Sequence, residues 1–220
     1  SWNCGYDVAY GQSQDQTRAV DAMTIAVALV NGDSTLFGSD TRISTSRQER
    51  IASWAMVPGY CKWEFFGKWG VATAGEMVNG TMLNAEHSRW SHLEDAGAVA
   101  EVWKKLFVEN PAFSLKLDPD GGASKVDMGA LLILPGKIWW MDATLDPLPV
   151  TSWAIGSGTD AALGALSACR TLNASPIQTV HLALDAAVEL TNDCGDALHR
   201  GLLGPDGVTW FASPLDDGKK

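Results

Sequence analysis

Basic residues are in short supply in this chain of 220 residues: 16 Lys and Arg stand against 26 Asp and Glu, for a formal net charge of −10. The cations are scattered rather than massed, which leaves no electrostatic footprint for a phosphate backbone or an anionic membrane surface. Neither nucleic acid nor a membrane is expected as a partner. Cysteine is equally sparse. Cys4, Cys61, Cys169 and Cys194 lie far apart with no CxxC spacing, in a chain long enough to build a core without disulfide staples. No apolar run approaches the length of a bilayer crossing, and the polar stretch from Ser1 to Asp21 lacks a basic region followed by an apolar one. A reducing, cytoplasmic setting is the expectation. The four histidines, His87, His92, His181 and His199, form no i, i+4 pair and no HExxH, so no metal and no cofactor is expected. A Ser-His-Asp hydrolase would want a Gly-x-Ser-x-Gly elbow, and Gly156-Ser157-Gly158 lacks that spacing.

What is present is globular: 46% apolar and 19% charged residues, with no linker, repeat or low-complexity break. One domain over residues 24–213 is expected, preceded by an extension or pro-segment (1–23) and followed by an acidic tail (214–220).

From Met23 the text turns apolar and β-branched, Thr24-Ile-Ala-Val-Ala-Leu-Val30, meets Asn31-Gly32-Asp33 and resumes from Ser34 to Ser39. Asn-Gly between two such runs predicts a hairpin. Tyr60 to Phe66 and Trp69 to Ala74, split by Gly67-Lys68, predict a second strand pair that extends the first sheet. Apolar residues at helical spacing predict helices over Met77 to Trp90 and Ala96 to Glu109, the second stopped by Asn110-Pro111. Asp118 to Gly122 reads as a loop. Met128 to Leu134, a Pro135-Gly136 turn and Lys137 to Met141 then predict the hairpin that opens a second sheet. Gly158 to Thr171 and Ser175 to Thr191 read as amphipathic helices, the latter with Ser175 as N-cap and Pro176 in the first turn. A last strand pair surrounds Gly207. Strands and helix pairs in this order fit neither a strict βαβ repeat nor an all-β fold. The expected class is α+β: a four-layer αββα sandwich of two antiparallel sheets covered by helices. The ten tryptophans are expected in the core or at subunit contacts, with Trp139 and Trp140 on opposite faces of one strand.

Two stretches, Thr24-Ile-Ala-Val-Ala and Gly38-Ser-Asp40-Thr-Arg42-Ile-Ser44, resemble the opening of proteasome β subunits and of their bacterial relative HslV. In that family a nucleophilic threonine begins the first strand and an Asp-Ser-Arg-Ala-Thr-like run ends the second. Asp40 falls sixteen residues after Thr24, the family's own spacing. Val71-Ala-Thr-Ala-Gly75 is similar to its small-residue turn, Ala154-Ile-Gly-Ser157-Gly-Thr-Asp to its Gly-Ser-Gly helix opening, and Asp193-Cys-Gly-Asp196 to its Asp-x-x-Ser motif. The similarity runs from about Met23 to Trp210.

The resemblance implies an amino-terminal-nucleophile hydrolase: a threonine-type endopeptidase acting on peptides or unfolded protein. It also implies a homo-oligomeric ring and an AAA+ ATPase that feeds it. A threonine hydroxyl is a poor nucleophile, but at a chain terminus its own α-amine, with an ordinary pKa of about 7.7–8.0, acts as base. Thr24 takes that role by resemblance. A lysine held by a carboxylate lowers the amine's proton affinity by like-charge repulsion; Asp40 and Lys62 match those positions, with Lys68 as the rival lysine. Gly75 matches the oxyanion donor, where the missing β-carbon lets a backbone N–H approach the developing charge. Ser157 and Asp193 match the residues that orient the amine, although Ser157 also reads as a plain helix N-cap and Asp193 as a surface charge.

Two positions depart from the pattern. Asp196 stands where the family has serine, and Met23 stands where self-cleaving precursors carry glycine. A bulky residue hinders the acyl shift that frees the threonine, whereas translation from Met23 would expose Thr24 directly. The alternative is therefore an unprocessed, catalytically inactive homologue that builds a ring or assembly scaffold. The non-catalytic α subunits fit less well, because their Gly-Arg-Leu and Val-Glu-Tyr text is missing before Thr24. Cys4 invites a cysteine nucleophile, but the strand pattern starts twenty residues later.

Overall fold

The computed structural model describes residues 25–41, 62–75, 77–110, 115–116, 125–126, 128–191, 194–195 and 198–211. The proposed extension and acidic tail lie outside these residues, as do Tyr60, Cys61 and the loop from Asp118 to Gly122.

Tight turns organise the strands. β1 (Ile25–Asn31) and β2 (Ser34–Asp40) form the opening hairpin, and their register pairs Asn31 with Ser34, so the two turn residues are Gly32 and Asp33. Gly32 has φ 60°, a conformation glycine adopts without steric cost. β3 (Trp63–Phe66) and β4 (Trp69–Gly75) turn at Gly67-Lys68, and β7 (Met128–Leu134) and β8 (Lys137–Met141) at Pro135-Gly136. Two-residue strands β5 (Leu115–Lys116) and β6 (Lys125–Val126) pair with each other. β9 (Leu148–Val150) and β10 (Ser152–Gly156) follow, and β11 (Leu198–Gly204) and β12 (Gly207–Trp210) form the last hairpin around Gly207.

The helices are α1 (Met77–Ala85), α2 (Ala96–Glu109), α3 (Thr159–Thr171) and α4 (Pro176–Leu190). Ser175 caps α4 in a full capping box with Gln178. The helix expected to run from Met77 to Trp90 stops at Ala85. A short 3₁₀ turn over His87–Arg89 replaces its end, and Trp90, fully buried, donates its ring N–H to the Leu83 carbonyl at 3.0 Å.

The expected class holds: two five-stranded antiparallel sheets, in the orders β10-β1-β2-β11-β12 and β3-β4-β7-β8-β9, are stacked and carry helices outside. Three apolar layers hold the four tiers together. Ala26, Phe37, Leu131 and Ile133 fill the space between the sheets. Val27, Leu36, Val180 and Leu184 seal α3 and α4 onto the first sheet. Trp69, Val71, Val99 and Trp103 seal α1 and α2 onto the second. Trp139 packs into this last layer and Trp140 into the inter-sheet layer, the alternation expected of neighbours on one strand.

A second expectation is corrected. The β3–β4 hairpin does not extend the first sheet; β4 pairs with β7 in the second. Trp69, Gly70, Val71 and Ala72 are all buried, so β4 needs cover on both faces and sits inside a sheet. The places beside β1 and β2 are taken by β10 and β11. Of these, β10 and its neighbour β9 were not expected as strands. β9 carries Pro149 and pairs only with β8, the edge position that proline tolerates.

The two ends of the sandwich differ. At one end the turns touch: a β-carbon on Gly136 would stand 2.8 Å from the Gly32 carbonyl oxygen, and the Thr35 hydroxyl donates to the Leu134 carbonyl at 2.7 Å. At the other end β1 begins and β2, β4 and β10 finish, bringing together Ile25, Asp40, Gly75 and Gly156 as strand termini.

Candidate functional site

Asp40 closes β2 at that open end and is wholly buried. Its carboxylate is a hub for three segments. Oδ1 accepts from the Ile25 N–H at 3.1 Å and from the Lys62 ammonium; Oδ2 accepts from the Gly195 N–H at 2.8 Å. These donors come from the start of β1, the residue before β3, and the connection between α4 and β11. A buried carboxylate needs such compensation, because leaving either charge of a buried pair alone costs several kcal/mol, about 3–5.

The Lys62 side chain is 6% exposed and the Asp40 side chain 0%. Lys68, the rival lysine, lies in the β3–β4 turn, and its side chain, 41% exposed, pairs with Glu94 at 3.1 Å. The structure thus brings Lys62, not Lys68, to Asp40.

Ser157 follows β10, whose last residue, Gly156, is the cross-strand partner of Ile25. It is not the helix cap: Gly158 occupies the N-cap position of α3, without a side-chain cap bond. Ser157 instead hydrogen-bonds to the thiol of Cys194, as does Thr191 at the end of α4. Burial pushes the Cys194 thiol above its ordinary value of 9.0, and the nearby Asp40 charge adds to this, while the Thr191 and Ser157 hydrogen bonds and the Lys62 charge oppose it. The thiol therefore sits within the fields of both members of the ion pair. Gly158 gives it room, since a β-carbon there would stand 3.0 Å from Cys194 Sγ and 2.7 Å from Ala187 Cβ.

Gly75 ends β4 at the same end of the sandwich, with φ 114°, a conformation that favours glycine. Its neighbour Ala74 packs in the same inter-sheet layer as Ala26 of β1. Thr24 and Asp193 lie outside the described residues. Thr24 directly precedes Ile25, a donor to Asp40, and Asp193 stands two residues before Gly195, another donor.

Three participants were not anticipated from sequence: Gly195, Cys194 and Thr191. A signal existed for the first two, because both fall inside the Asp193-Cys-Gly-Asp196 motif. The hydroxyl of Thr191 had none. Among the described residues no group of His, Cys, Asp and Glu is arranged to hold a metal ion. No helix there is long and apolar enough to cross a membrane.

No family model matches the chain, and no curated protein matches it. Solved structures do. The chain is similar to Thiobacillus denitrificans BPH in complex with epoxomicin, at a TM-score of 0.63 and 19% identity over 83% of this chain and 100% of that one. A second structure of Thiobacillus denitrificans BPH gives a TM-score of 0.66 with the same identity and coverage. At this identity the likeness is one of fold.

Proposed function

We propose that this chain is a proteasome-like threonine-type peptidase subunit, which hydrolyses peptide bonds with Thr24 as nucleophile once the Thr24 amine is free. One observation carries the reading. The buried Asp40–Lys62 ion pair is hydrogen-bonded to the amide of Ile25, the residue joined directly to Thr24. Consecutive Cα atoms are about 3.8 Å apart, so the pair is anchored next to the expected nucleophile. A positive charge fixed there lowers the proton affinity of a neighbouring amine, which then takes the hydroxyl proton as Thr24 attacks the scissile carbonyl.

The other roles follow from the same arrangement. Gly75 donates its N–H to the oxyanion, and Ser157 and Asp193 orient the amine. The similarity of fold to a protein solved with epoxomicin, a proteasome inhibitor, supports this choice of chemistry. By the same reading the subunit works in a homo-oligomeric ring on peptide or unfolded-protein substrates, with an AAA+ ATPase as feeding partner.

The test is cleavage of fluorogenic peptides by the purified protein, compared with Thr24→Ala. Activity should be lost with the hydroxyl, by several orders of magnitude, and should be blocked by epoxomicin. Equal activity in both proteins removes Thr24 from the mechanism. A second reading is favoured by Met23, which stands directly before Thr24: an unprocessed homologue that serves as a ring or assembly subunit. Intact mass separates the two, since loss of residues 1–23 goes with the peptidase and full length with the scaffold.

A further inference from the structure

Among the described residues, six buried side-chain atoms have no hydrogen-bond partner: Ser39 Oγ, Thr41 Oγ1, Asn84 Oδ1, Trp103 Nε1, His181 Nδ1 and His199 Nε2. Asn84, Trp103 and His181 stand singly on α1, α2 and α4. The remaining three fall together. Ser39 and His199 are direct cross-strand partners on β2 and β11, and Thr41 comes two residues after Ser39.

The row they share identifies the space they face. Ile155, Ala26, Ser39 and His199 lie side by side across four strands, and residues directly opposite one another point to the same face of a sheet. Ala26 and Ile155 belong to the layer between the sheets, so Ser39 and His199 point there as well. Ser39 is 0% and Thr41 4% exposed, which shuts both hydroxyls away from bulk solvent. Aromatic rings flank the place: Trp63 donates its ring N–H to the Gly38 carbonyl beside Ser39, and Trp210 meets the His199 ring edge-on at a centroid distance of 6.2 Å.

Burying a hydroxyl without a partner is costly, and a second buried hydroxyl two residues on and an imidazole nitrogen across the strand add to the cost. A small neutral molecule that both donates and accepts removes it. Ser and Thr hydroxyls do both, and an imidazole nitrogen does either according to tautomer. An ion suits the place poorly, because neither hydroxyl carries a charge that could offset one.

We infer that Ser39, Thr41 and His199 form a binding site for one internal water molecule, held between the sheets and bridging β2 to β11 beside Asp40. Such waters occur about once per 27 residues and make about three hydrogen bonds each, which is the number of groups here. The water is structural and is independent of the proposed peptidase activity.

Calorimetry of Ser39→Ala and of the shape-preserving Thr41→Val gives a sign test. A hydrated site loses hydrogen bonds, so both variants melt several °C lower, the scale on which one such bond moves a chain of this size. A dry site is relieved of an unpartnered hydroxyl, so both melt higher or unchanged. Water-oxygen relaxation dispersion supplies the direct count: one long-lived water fewer in Ser39→Ala supports the site, and an unchanged amplitude overturns it. If Ser39→Ala does not fold, Thr41→Val and a high-resolution crystal structure of the unaltered chain decide. Density for a water within about 3 Å of Ser39 Oγ and His199 Nε2 is the supporting result, and its absence the opposing one.

Discussion

Replacing Asp40 by asparagine keeps the shape of the side chain and removes one charge at the hub of the site. The carboxylate takes two donors on Oδ1, the Ile25 N–H at 3.1 Å and the Lys62 ammonium, and one on Oδ2, the Gly195 N–H at 2.8 Å. An amide has a single accepting oxygen, so in either orientation its NH₂ group confronts at least one of these donors. With the oxygen in the Oδ1 position the Gly195 bond is lost, and Lys62 keeps a dipole in place of a counter-charge. Both side chains are buried, 0% and 6% exposed, so solvent does not screen the loss. Breaking one side of such a pair costs about 3–5 kcal/mol. At about 2–4 °C per kcal/mol for a chain of this length, the melting temperature should fall by about 6–20 °C. Lys68→Ala is the control: it breaks the exposed pair with Glu94, 41% and 88% exposed, and should cost about 0–1 kcal/mol. Calorimetry with urea unfolding reads both. The double variant Asp40→Asn, Lys62→Met removes both charges and should be less destabilised than the sum of its single variants. The reasoning fails if Asp40→Asn melts no lower than Lys68→Ala, or if the double variant equals that sum.

Three further substitutions address stability outside the Asp40–Lys62 pair. Glu64, half-buried on β3, has its carboxyl raised above the ordinary 4.5 by burial, partly offset by a hydrogen bond from Asn84. A raised folded-state value means that Glu64 favours folding below pH 4.5 and loses that contribution as pH rises through the folded value. Glu64→Gln should therefore melt higher than the unaltered protein at pH 7, with the difference shrinking toward pH 4; a difference independent of pH speaks against burial as the cause. Gly158→Ala inserts a β-carbon 2.7 Å from Ala187 Cβ and 3.0 Å from Cys194 Sγ, so overpacking should cost about 1–3 kcal/mol. Gly164→Ala in α3 meets no atom within 4 Å and should instead stabilise by about 0.5–1 kcal/mol. Chemical denaturation of the two variants, which should move in opposite directions, checks both.

The chain's own text determines its local elements. Gly32 with its flanking β-branched runs specifies the β1–β2 hairpin, Ser175, Pro176 and Gln178 specify the start of α4, and the neighbours Trp139 and Trp140 divide between two apolar layers as strand alternation requires. Each of these depends on residues a few positions apart. Even the sixteen-residue interval from Thr24 to Asp40 is a hairpin length, readable along the chain.

Tertiary structure alone decides what is paired over distance. Nothing local tells the β3–β4 hairpin which sheet to join, or marks the short, proline-bearing β9 as a strand. Lys62 and Lys68 are six residues apart and look equivalent in sequence; folding buries one against Asp40 and leaves the other at a turn beside Glu94. The Gly195 amide reaches Asp40 from 155 positions away. Burial of a charge is a property of everything packed around it, and that environment is assembled only when the two sheets close on each other.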